Sequence, residues 1–258
     1  MSRSFDWRNL LFVFALAIAT PTLAETITIR ADGWLPYNGI GSKPPAGYMI
    51  DAARLIAKAN GHTIDYANMP WNDALEAVRK GEYDCVVGAA KDDAEDFMFP
   101  ALSWGKSQNA FFGMADSNWR YTGIDSLANI RLAMIDGYTY SDELDAYIEA
   151  HRGDGKVIVI QSIGRAAISA VSKMVEKKAD VFIENMNVMQ QTLTTMQMTD
   201  RVVNKGTLND LTDVYIACTP AKPHGRVFAN LFSEGMAKLR ASGELKKILD
   251  RYGLKDWQ

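Results

Sequence analysis

The sequence has few of the residues that build metal sites or disulfide frameworks. Its 258 residues include only two cysteines, Cys85 and Cys218, and three histidines, His62, His151 and His224. The histidines share no ligand spacing, so the sequence predicts neither a metal site nor a cofactor. Two cysteines are too few for a disulfide framework. They either form one bridge in an exported protein or lie as small hydrophobic side chains within strands.

Clusters of basic residues are also missing. The chain has 28 Lys and Arg against 31 Asp and Glu, a formal net charge of -3, and no block of consecutive basic residues. A protein that binds nucleic acid concentrates positive charge on one face. The composition therefore argues against a nucleic-acid partner.

Long apolar runs are absent after the first 24 residues. The run "LLFVFALAIAT", residues 10–20, follows two arginines and precedes small residues at 22–24, which is typical of a cleaved secretory signal peptide. A membrane anchor is the alternative, but the run has about half of the roughly 20 residues that a span needs. No cysteine follows the expected cleavage point, which disfavours a lipoprotein. We expect residues 1–24 to be removed, and the mature chain to begin near Glu25 and lie in the periplasm.

Short apolar strands alternate with amphipathic helices along the rest of the chain. The pattern in residues 25–89 predicts strand, helix, strand, helix, strand, and a similar series starts at residue 109. A third stretch of strand and helices closes the chain. Short strands separated by helices pair in parallel, so the sequence predicts an α/β fold of mostly parallel sheets flanked by helices.

Two such halves and a C-terminal return predict two lobes hinged by crossing strands. We place the crossings near residues 107–111 and 211–214. The first lobe would then be discontinuous, with residues 25–108 and 213–258, and the second lobe would hold residues 109–212. No segment rich in Pro, Gly and Ser joins the halves, which favours strand hinges over a flexible tether.

Aromatic residues mark the expected ligand position. In open α/β sheets, ligands bind beyond the carboxyl ends of the strands, and Trp34, Tyr37, Trp71 and Tyr138 lie in segments that follow predicted strands. Aromatic rings there can enclose an apolar part of a ligand or hold a cation. We favour ligand contact for Trp34 and Trp71, in short polar loops, and leave Tyr37 open between ligand contact and packing. Three other tryptophans are interpreted as packing residues: Trp104, Trp119 and Trp257.

An acidic stretch follows the third predicted strand. The segment "VVGAAKDDAEDFMFP", residues 86–100, places four acids after the strand and opposes them only with Lys91. Acids favour the start of a helix, so a solvated helix start accounts for at least two of them. The others would line the mouth of the strand, where they suit a cationic ligand. The four acids are Asp92, Asp93, Glu95 and Asp96.

Several short motifs stand in order along the mature chain. They are Asp32, Trp34 and Pro36; Gly47, Tyr48 and Asp51; Gly81 and Asp84; Gly137, Tyr138 and Thr139; and Leu239, Arg240, Gly243, Ile248, Tyr252 and Gly253. Each motif alone is weak, but their order and spacing together are specific. On these residues the chain resembles, over its whole mature length, the periplasmic solute-binding proteins of polar-amino-acid ABC importers, bacterial extracellular solute-binding protein family 3.

The resemblance implies a type II periplasmic-binding-protein fold whose lobes close on a small ligand by a hinge. It implies a monomer that serves an ABC-transporter permease and is not an enzyme. It also implies that Trp34 and Trp71 clasp the ligand side chain, and that backbone N–H groups near Ala89 and Ala90, with Thr139, hold an anionic end. The family places the two cysteine-bearing strands side by side, so we expect these cysteines to lie close, bonded or not. The candidate ligand-binding residues are Asp32, Trp34, Tyr37, Trp71, Gly88, Ala89, Ala90, Lys91, Tyr138, Thr139, Glu184 and Asn185.

Two departures from the family concern amino-acid recognition. Family members that bind α-amino acids carry an Arg after the third strand, but residues 85–100 contain none, and Lys91 offers only a point charge. Asn185, beside Glu184, replaces the Asp that faces the α-ammonium. We therefore predict that standard α-amino acids bind weakly or not at all. The ligand would be a small polar molecule, such as an amine or a modified amino-acid derivative.

Two other functions share this fold. Cyclohexadienyl dehydratases resemble the same family, and their chemistry needs a buried acid or base and a cationic grip on two substrate carboxylates. The missing Arg argues against that activity. A ligand-presenting partner of a membrane sensor is the third alternative.

Overall fold

The computed structural model describes residues 24–41, 44–161, 163–208 and 211–258. Residues 1–23, which hold nearly all of the predicted signal peptide, lie outside these ranges. The strands are β1 (Thr26–Ala31), β2 (Thr63–Asn68), β3 (Cys85–Ala89), β4 (Gly105–Ser107), β5 (Asn109–Met114), β6 (Leu132–Ile135), β7 (Val157–Ile160), β8 (Val181–Asn185), β9 (Val202–Thr207) and β10 (Thr212–Cys218). The helices are α1 (Tyr48–Ala59), α2 (Trp71–Arg79), α3 (Asp142–Ala150), α4 (Ala166–Val175), α5 (Met186–Met196), α6 (His224–Ala241) and α7 (Glu244–Asp250), with short 3-10 helices at Lys91–Asp93 and Ile124–Leu127.

The described strands form two five-stranded sheets with the same plan. The first has the order β2-β1-β3-β10-β4 and the second β7-β6-β8-β5-β9. In the first sheet β1 pairs in parallel with β2 and β3, whereas β10 pairs antiparallel with β3 and β4. In the second, β6 pairs in parallel with β7 and β8, whereas β5 pairs antiparallel with β8 and β9. The predicted α/β two-lobe fold is confirmed, and both sheets are mixed.

The antiparallel strands are those next to the points where the chain changes sheet. The chain leaves the first sheet after β4 and enters the second at β5, one residue later. It returns between β9 and β10. We call the first sheet with α1, α2, α6 and α7 the first lobe, and the second sheet with α3, α4 and α5 the second lobe. The lobe boundaries near residues 108 and 212 stay a prediction.

Local sequence signals fix where the helices begin and end. The Ser141 hydroxyl accepts a hydrogen bond from the Leu144 amide and caps α3, as its position before an acidic first turn predicts. Helix α1 ends before Asn60 and Gly61, residue types that commonly end helices. The assignment of Trp71 to a loop is wrong, because Trp71 is the first residue of α2 and follows Pro70. The fixed φ of Pro70 places the tryptophan at the start of the helix, where the chain leaves the sheet.

The two cysteines are bonded across adjacent strands. Cys85 of β3 lies directly opposite Cys218 of β10, with an S–S distance of 2.05 Å and a Cα–Cα distance of 3.9 Å. Their predicted proximity is confirmed. The bridge closes a loop across a sequence separation of 133. In the chain-entropy model, closing a loop of this length lowers the entropy of the unfolded chain by an amount worth about 4–5 kcal/mol.

The three tryptophans predicted to pack do so. Trp104 is fully buried and meets the ring of Phe232 edge-on, at 5.5 Å between ring centroids. Trp119 packs on Phe111 of the second lobe, and Trp257 packs near Tyr48. Among the described residues, no helix has both the length and the apolar composition that crossing a bilayer requires.

Candidate functional site

A cavity of about 280 Å³ lies where the two lobes meet. Its walls come from the ends of β1 and β3 and the start of α2 in the first lobe, and from the turn after β6, the start of α3 and the end of β8 in the second. This is the position that the strand-end rule predicts. Its volume lies near the lower end of the range of small-molecule sites, roughly 300–1,000 Å³.

The cavity is strongly acidic. Six carboxylates line it and, among the described residues of its lining, there is no Lys, Arg or His. A cavity with charge of one sign favours a ligand of the opposite sign. No group of described His, Cys, Asp and Glu residues is arranged to hold a metal ion. The six acids are Asp32, Asp92, Asp93, Asp142, Asp145 and Glu184.

Two hydrogen bonds donated by aromatic side chains cross between the lobes beside the cavity. The Tyr138 hydroxyl donates to Oδ2 of Asp32 at 2.7 Å, and the Trp34 indole Nε1 donates to Oε1 of Glu184 at 3.1 Å. The backbone amide of Asn185 also donates to Oε1 of Glu184, at 2.7 Å. Each of the two acids is therefore held by an aromatic donor from the opposite lobe.

The second oxygen of Glu184 lacks a partner. Glu184 is 2% exposed, and its buried Oε2 has no hydrogen-bond partner in the described part of the chain. The same holds for Oδ1 of the fully buried Asn38, which also lines the cavity. Leaving a buried acceptor unpaired costs about 1–3 kcal/mol, and more when the group is charged. Both oxygens are acceptors that an N–H donor of a ligand could satisfy.

Burial shifts the pKa values of these acids. Loss of solvation raises the pKa of Asp32 to about 7, against the lowering effect of the Tyr138 hydroxyl. Burial likewise raises the pKa of Glu184 to about 7, and the charge of Asp32 adds to the rise. A bound cation would favour the charged form of both carboxylates and reverse these shifts.

Aromatic rings form part of the lining. The ring of Trp34 stacks on Tyr37, with centroids 4.2 Å apart and planes 20° apart, and Trp71 is 5% exposed at the start of α2. Gly88 lies against Trp34: a Cβ there would lie 3.3 Å from Cε3 of the indole, and the φ of 93° is one that other residues rarely adopt. The glycine therefore lets the strand end approach the ring closely.

Asp93 joins the two lobes at the other side of the cavity. Its Oδ2 accepts a hydrogen bond from the Ala90 amide at 2.8 Å, and its Oδ1 accepts one from the Thr139 hydroxyl at 2.5 Å. Ala90 and Asp93 belong to the first lobe, whereas Thr139 belongs to the turn that precedes α3. Burial raises the pKa of Asp93 above its ordinary value, against the effect of both donors.

Eight of the twelve candidate residues line this cavity. The other four lie outside its lining. The Tyr37 hydroxyl, below Trp34, donates to the Lys106 carbonyl and accepts from the Asn185 side chain. Ala89 is buried in β3, and Lys91 is exposed, with Nζ 5.8 Å from the centroid of Tyr215. The eight in the lining are Asp32, Trp34, Trp71, Gly88, Ala90, Tyr138, Thr139 and Glu184.

Several residues of the lining lie outside the candidates predicted from the sequence. Asp142 and Asp145 are not among these candidates, yet the first turn of α3 contributes both to the cavity lining. Their place just after the Gly137-Tyr138-Thr139 turn was the available signal, because that turn follows a strand. Asn38 gave no such signal. Its side chain is held at the cavity by a hydrogen bond that its Nδ2 donates to the Asp32 carbonyl at 2.6 Å.

Two α/β lobes with a ligand-sized cavity between them define the class of two-lobe solute-binding proteins. The chain belongs to the bacterial extracellular solute-binding proteins, family 3, whose family model matches residues 27–255. A comparison with curated protein sequences finds no match.

Solved structures with the same fold include a histidine kinase sensor domain similar to periplasmic binding proteins, with 21% identity, coverage of 88% of this chain and 95% of that chain, and a TM-score of 0.69. EhuB in complex with hydroxyectoine has 16% identity, coverage of 89% of each chain and a TM-score of 0.71. The amino-acid ABC transporter substrate-binding protein AbpA from Streptococcus pneumoniae, bound to L-arginine, has 14% identity, coverage of 88% and 94%, and a TM-score of 0.69. At these identities the likeness shows the fold.

Proposed function

We propose that this protein is the periplasmic solute-binding component of an ABC importer, and that it captures a small cationic or amine-bearing molecule between its lobes. The observation that carries the proposal is the charge of the cavity. Its described lining contains six carboxylates and no basic side chain. Trp34, Trp71 and Tyr138 add aromatic surface, which suits an ammonium group and its alkyl chain.

Closure around the ligand is supported by the two crossing segments. Strands β4 and β5 are separated by one residue, so the lobes can rotate about a short connection without unfolding either sheet. The hydrogen bonds between Tyr138 and Asp32 and between Trp34 and Glu184 form only when the lobes are closed. The ligand would enter the open cleft, and its charge would stabilise the closed arrangement. The closed monomer would then engage a membrane permease.

Export to the periplasm is supported by two features. The pattern in residues 1–24 is typical of a secretory signal peptide, and the Cys85–Cys218 disulfide is typical of an oxidising compartment. The alternative of a dehydratase is disfavoured because the described lining lacks a cationic group that could hold two substrate carboxylates. Because the fold is similar to that of a histidine kinase sensor domain, an alternative function is presentation of the ligand to a membrane sensor.

A thermal-shift screen tests the binding proposal. The protein is unfolded and refolded to remove bound ligand, then screened against metabolites sorted into cations, zwitterions, neutral molecules and anions. We expect stabilisation by cations and amines; at about 100 times its dissociation constant a ligand adds roughly 2.7 kcal/mol. Stabilisation only by anions or sugars would contradict the proposal. Pull-down from membranes with the liganded protein separates a permease from a sensor as partner.

A further inference from the structure

Asp93 occupies the point where hydrogen-bond donors of both lobes converge. The Ala90 amide lies at the end of β3, and the Thr139 hydroxyl lies in the turn after β6 of the opposite lobe. Both donate to the same carboxylate, one to each oxygen, at 2.8 and 2.5 Å. Two donors that face each other across a closing cleft form a suitable place for an anionic group. Here that group is a side chain of the protein.

A ligand carboxylate brought to this place would meet a carboxylate already there. Asp92, Asp142 and Asp145 also line the cavity, and no basic side chain among the described lining residues offsets their charge. Like charges in a partly desolvated cleft repel each other strongly. This position therefore offers an anionic ligand group neither a free pair of donors nor a counter-charge.

Elsewhere in the cavity, buried acceptors lack hydrogen-bond donors. Oε2 of Glu184 and Oδ1 of Asn38 are buried acceptors without a partner in the described part of the chain, and both residues line the cavity. Such oxygens call for N–H donors, which an ammonium, amidinium or guanidinium group supplies. An N–H donor that reaches these oxygens would satisfy them, whereas the position between Ala90 and Thr139 is already filled by Asp93.

We propose that Asp93 is a built-in carboxylate that fills the anion-binding position of the cleft, so that the protein selects amines lacking a carboxylate over the corresponding α-amino acids. The inference rests on the proposed function for the identity of the ligand class. It assigns Asp93 the role of a specificity-determining residue. Its carboxylate accepts hydrogen bonds from donors of both lobes, as the carboxylate of a bound amino acid would.

Pairs of ligands that differ by one carboxylate test this role. Cadaverine and L-lysine form one pair, and agmatine and L-arginine form another. Calorimetry with the wild-type protein should show binding of at least one amine and at least 100-fold weaker binding of its amino acid. In Asp93→Ala, which vacates the position, the ratio should fall below tenfold. Glu95→Ala removes an exposed acid outside the cavity lining and should keep the wild-type ratio.

Acetate alone provides a second measurement. Added at millimolar concentration, it should raise the melting temperature of Asp93→Ala by binding between the Ala90 amide and the Thr139 hydroxyl. Wild type and Glu95→Ala should not respond. Asp93→Asn keeps the position filled, so it should neither respond to acetate nor recover amino-acid binding to the extent that Asp93→Ala does. If Asp93→Ala does not fold, Asp93→Ser, which also removes the carboxylate, replaces it, and an unchanged ligand ratio rejects the role.

The two proposals fail in different ways. If amines bind the wild type and Asp93→Ala keeps the full discrimination with no acetate response, the role of Asp93 is wrong and the proposed function stands. If no cation binds the wild type but acetate stabilises Asp93→Ala, the cationic ligand is wrong and the anion position stands. Tight binding of L-lysine or L-arginine by the wild type would overturn the selection against carboxylates.

Discussion

The hydroxyl of Tyr138 lies 2.7 Å from Oδ2 of Asp32, and this hydrogen bond joins the two lobes. Asp32 is 4% exposed and follows β1, whereas Tyr138 follows β6. The two residues occupy equivalent places, because β1 and β6 are each the strand with two parallel neighbours in their sheet. The bond therefore connects equivalent strand ends of the two lobes within the cavity lining.

Removing this bond should weaken the closed state. In Tyr138→Phe, Asp32 loses the donor that favours its charged form, and we expect the free energy of unfolding at pH 8 to fall by about 1–3 kcal/mol. Ligand affinity should fall as well. Chemical denaturation and calorimetry measure the two effects. Tyr121→Phe, which removes a hydroxyl outside the cavity lining, serves as the control, and an equal loss in both variants would contradict the assignment.

Stability and ligand affinity should depend on pH in opposite directions. Burial raises the pKa of Asp32 from 3.8 to about 7 and that of Glu184 from 4.5 to about 7. Both groups bind protons on folding, so their contribution to stability is complete below the unfolded pKa values and is lost as the pH rises through about 7. The ligand-free protein should therefore be more stable at pH 5.5 than at pH 8.

Cation binding needs the charged carboxylates, so the affinity should rise between pH 5.5 and 8, with release of protons. Calorimetry in buffers of different ionisation enthalpy counts these protons. Glu184→Gln should reduce the pH dependence of both the free energy of unfolding and the ligand affinity. An affinity independent of pH would show that neither acid changes its protonation when the ligand binds.

The indole N–H of Trp34 should matter beyond its ring. Trp34→Phe keeps an aromatic ring on Tyr37 but leaves Oε1 of Glu184 without its interlobe donor. We expect at least tenfold weaker binding with a smaller change in melting temperature. Trp104→Phe is the matched control, because the buried Nε1 of Trp104 has no hydrogen-bond partner in the described structure. Equal effects on affinity would show that only ring size matters.

Trp71 should contribute mainly to ligand affinity. It lines the cavity from the first residue of α2, and truncating a buried aromatic anchor costs about 2 kcal/mol or more of binding free energy. Trp71→Ala should therefore weaken binding at least 30-fold, as measured by calorimetry. A sharp fall in melting temperature with unchanged affinity would make Trp71 a core residue instead.

Loss of the disulfide should lower stability without changing the site. Replacing Cys85 and Cys218 by Ser removes the cross-link between β3 and β10, and we expect the free energy of unfolding to fall by about 2–5 kcal/mol. Thiol titration of the unfolded, unreduced wild type should find no free thiol. Two titratable thiols would show that the bridge does not form in the isolated protein.

The sequence predicts the order of the elements better than their pairing. Apolar periodicity identifies β1, α1, β2, α2 and β3 because each is long enough to show its period. It misses β4, which has three residues, and β9, whose polar residues alternate weakly. These two are edge strands, and their place follows from the chain crossing between lobes. Pairing of that kind depends on distant residues and leaves no local pattern.

The same distinction between local patterns and contacts of distant residues applies to the site. Trp34, Trp71 and Tyr138 could be selected because each stands just beyond a strand end. The bond of Asp93 to Thr139 could not, because the partners are 46 residues apart and belong to different lobes. An acid at a helix start looks the same in sequence whether water or another lobe surrounds it. The sequence therefore gives the charge of the region, and the structure gives the contacts.

The second sheet lies entirely between the two bonded cysteines, since β5 to β9 all fall between Cys85 and Cys218. The chain is therefore a covalent ring with two tails, and the whole second lobe is part of the ring. A protease that cuts once anywhere within the second lobe cannot separate the two segments of the first lobe. Under oxidising conditions a nicked molecule stays a single particle, and the β3–β10 seam is preserved until the disulfide is reduced.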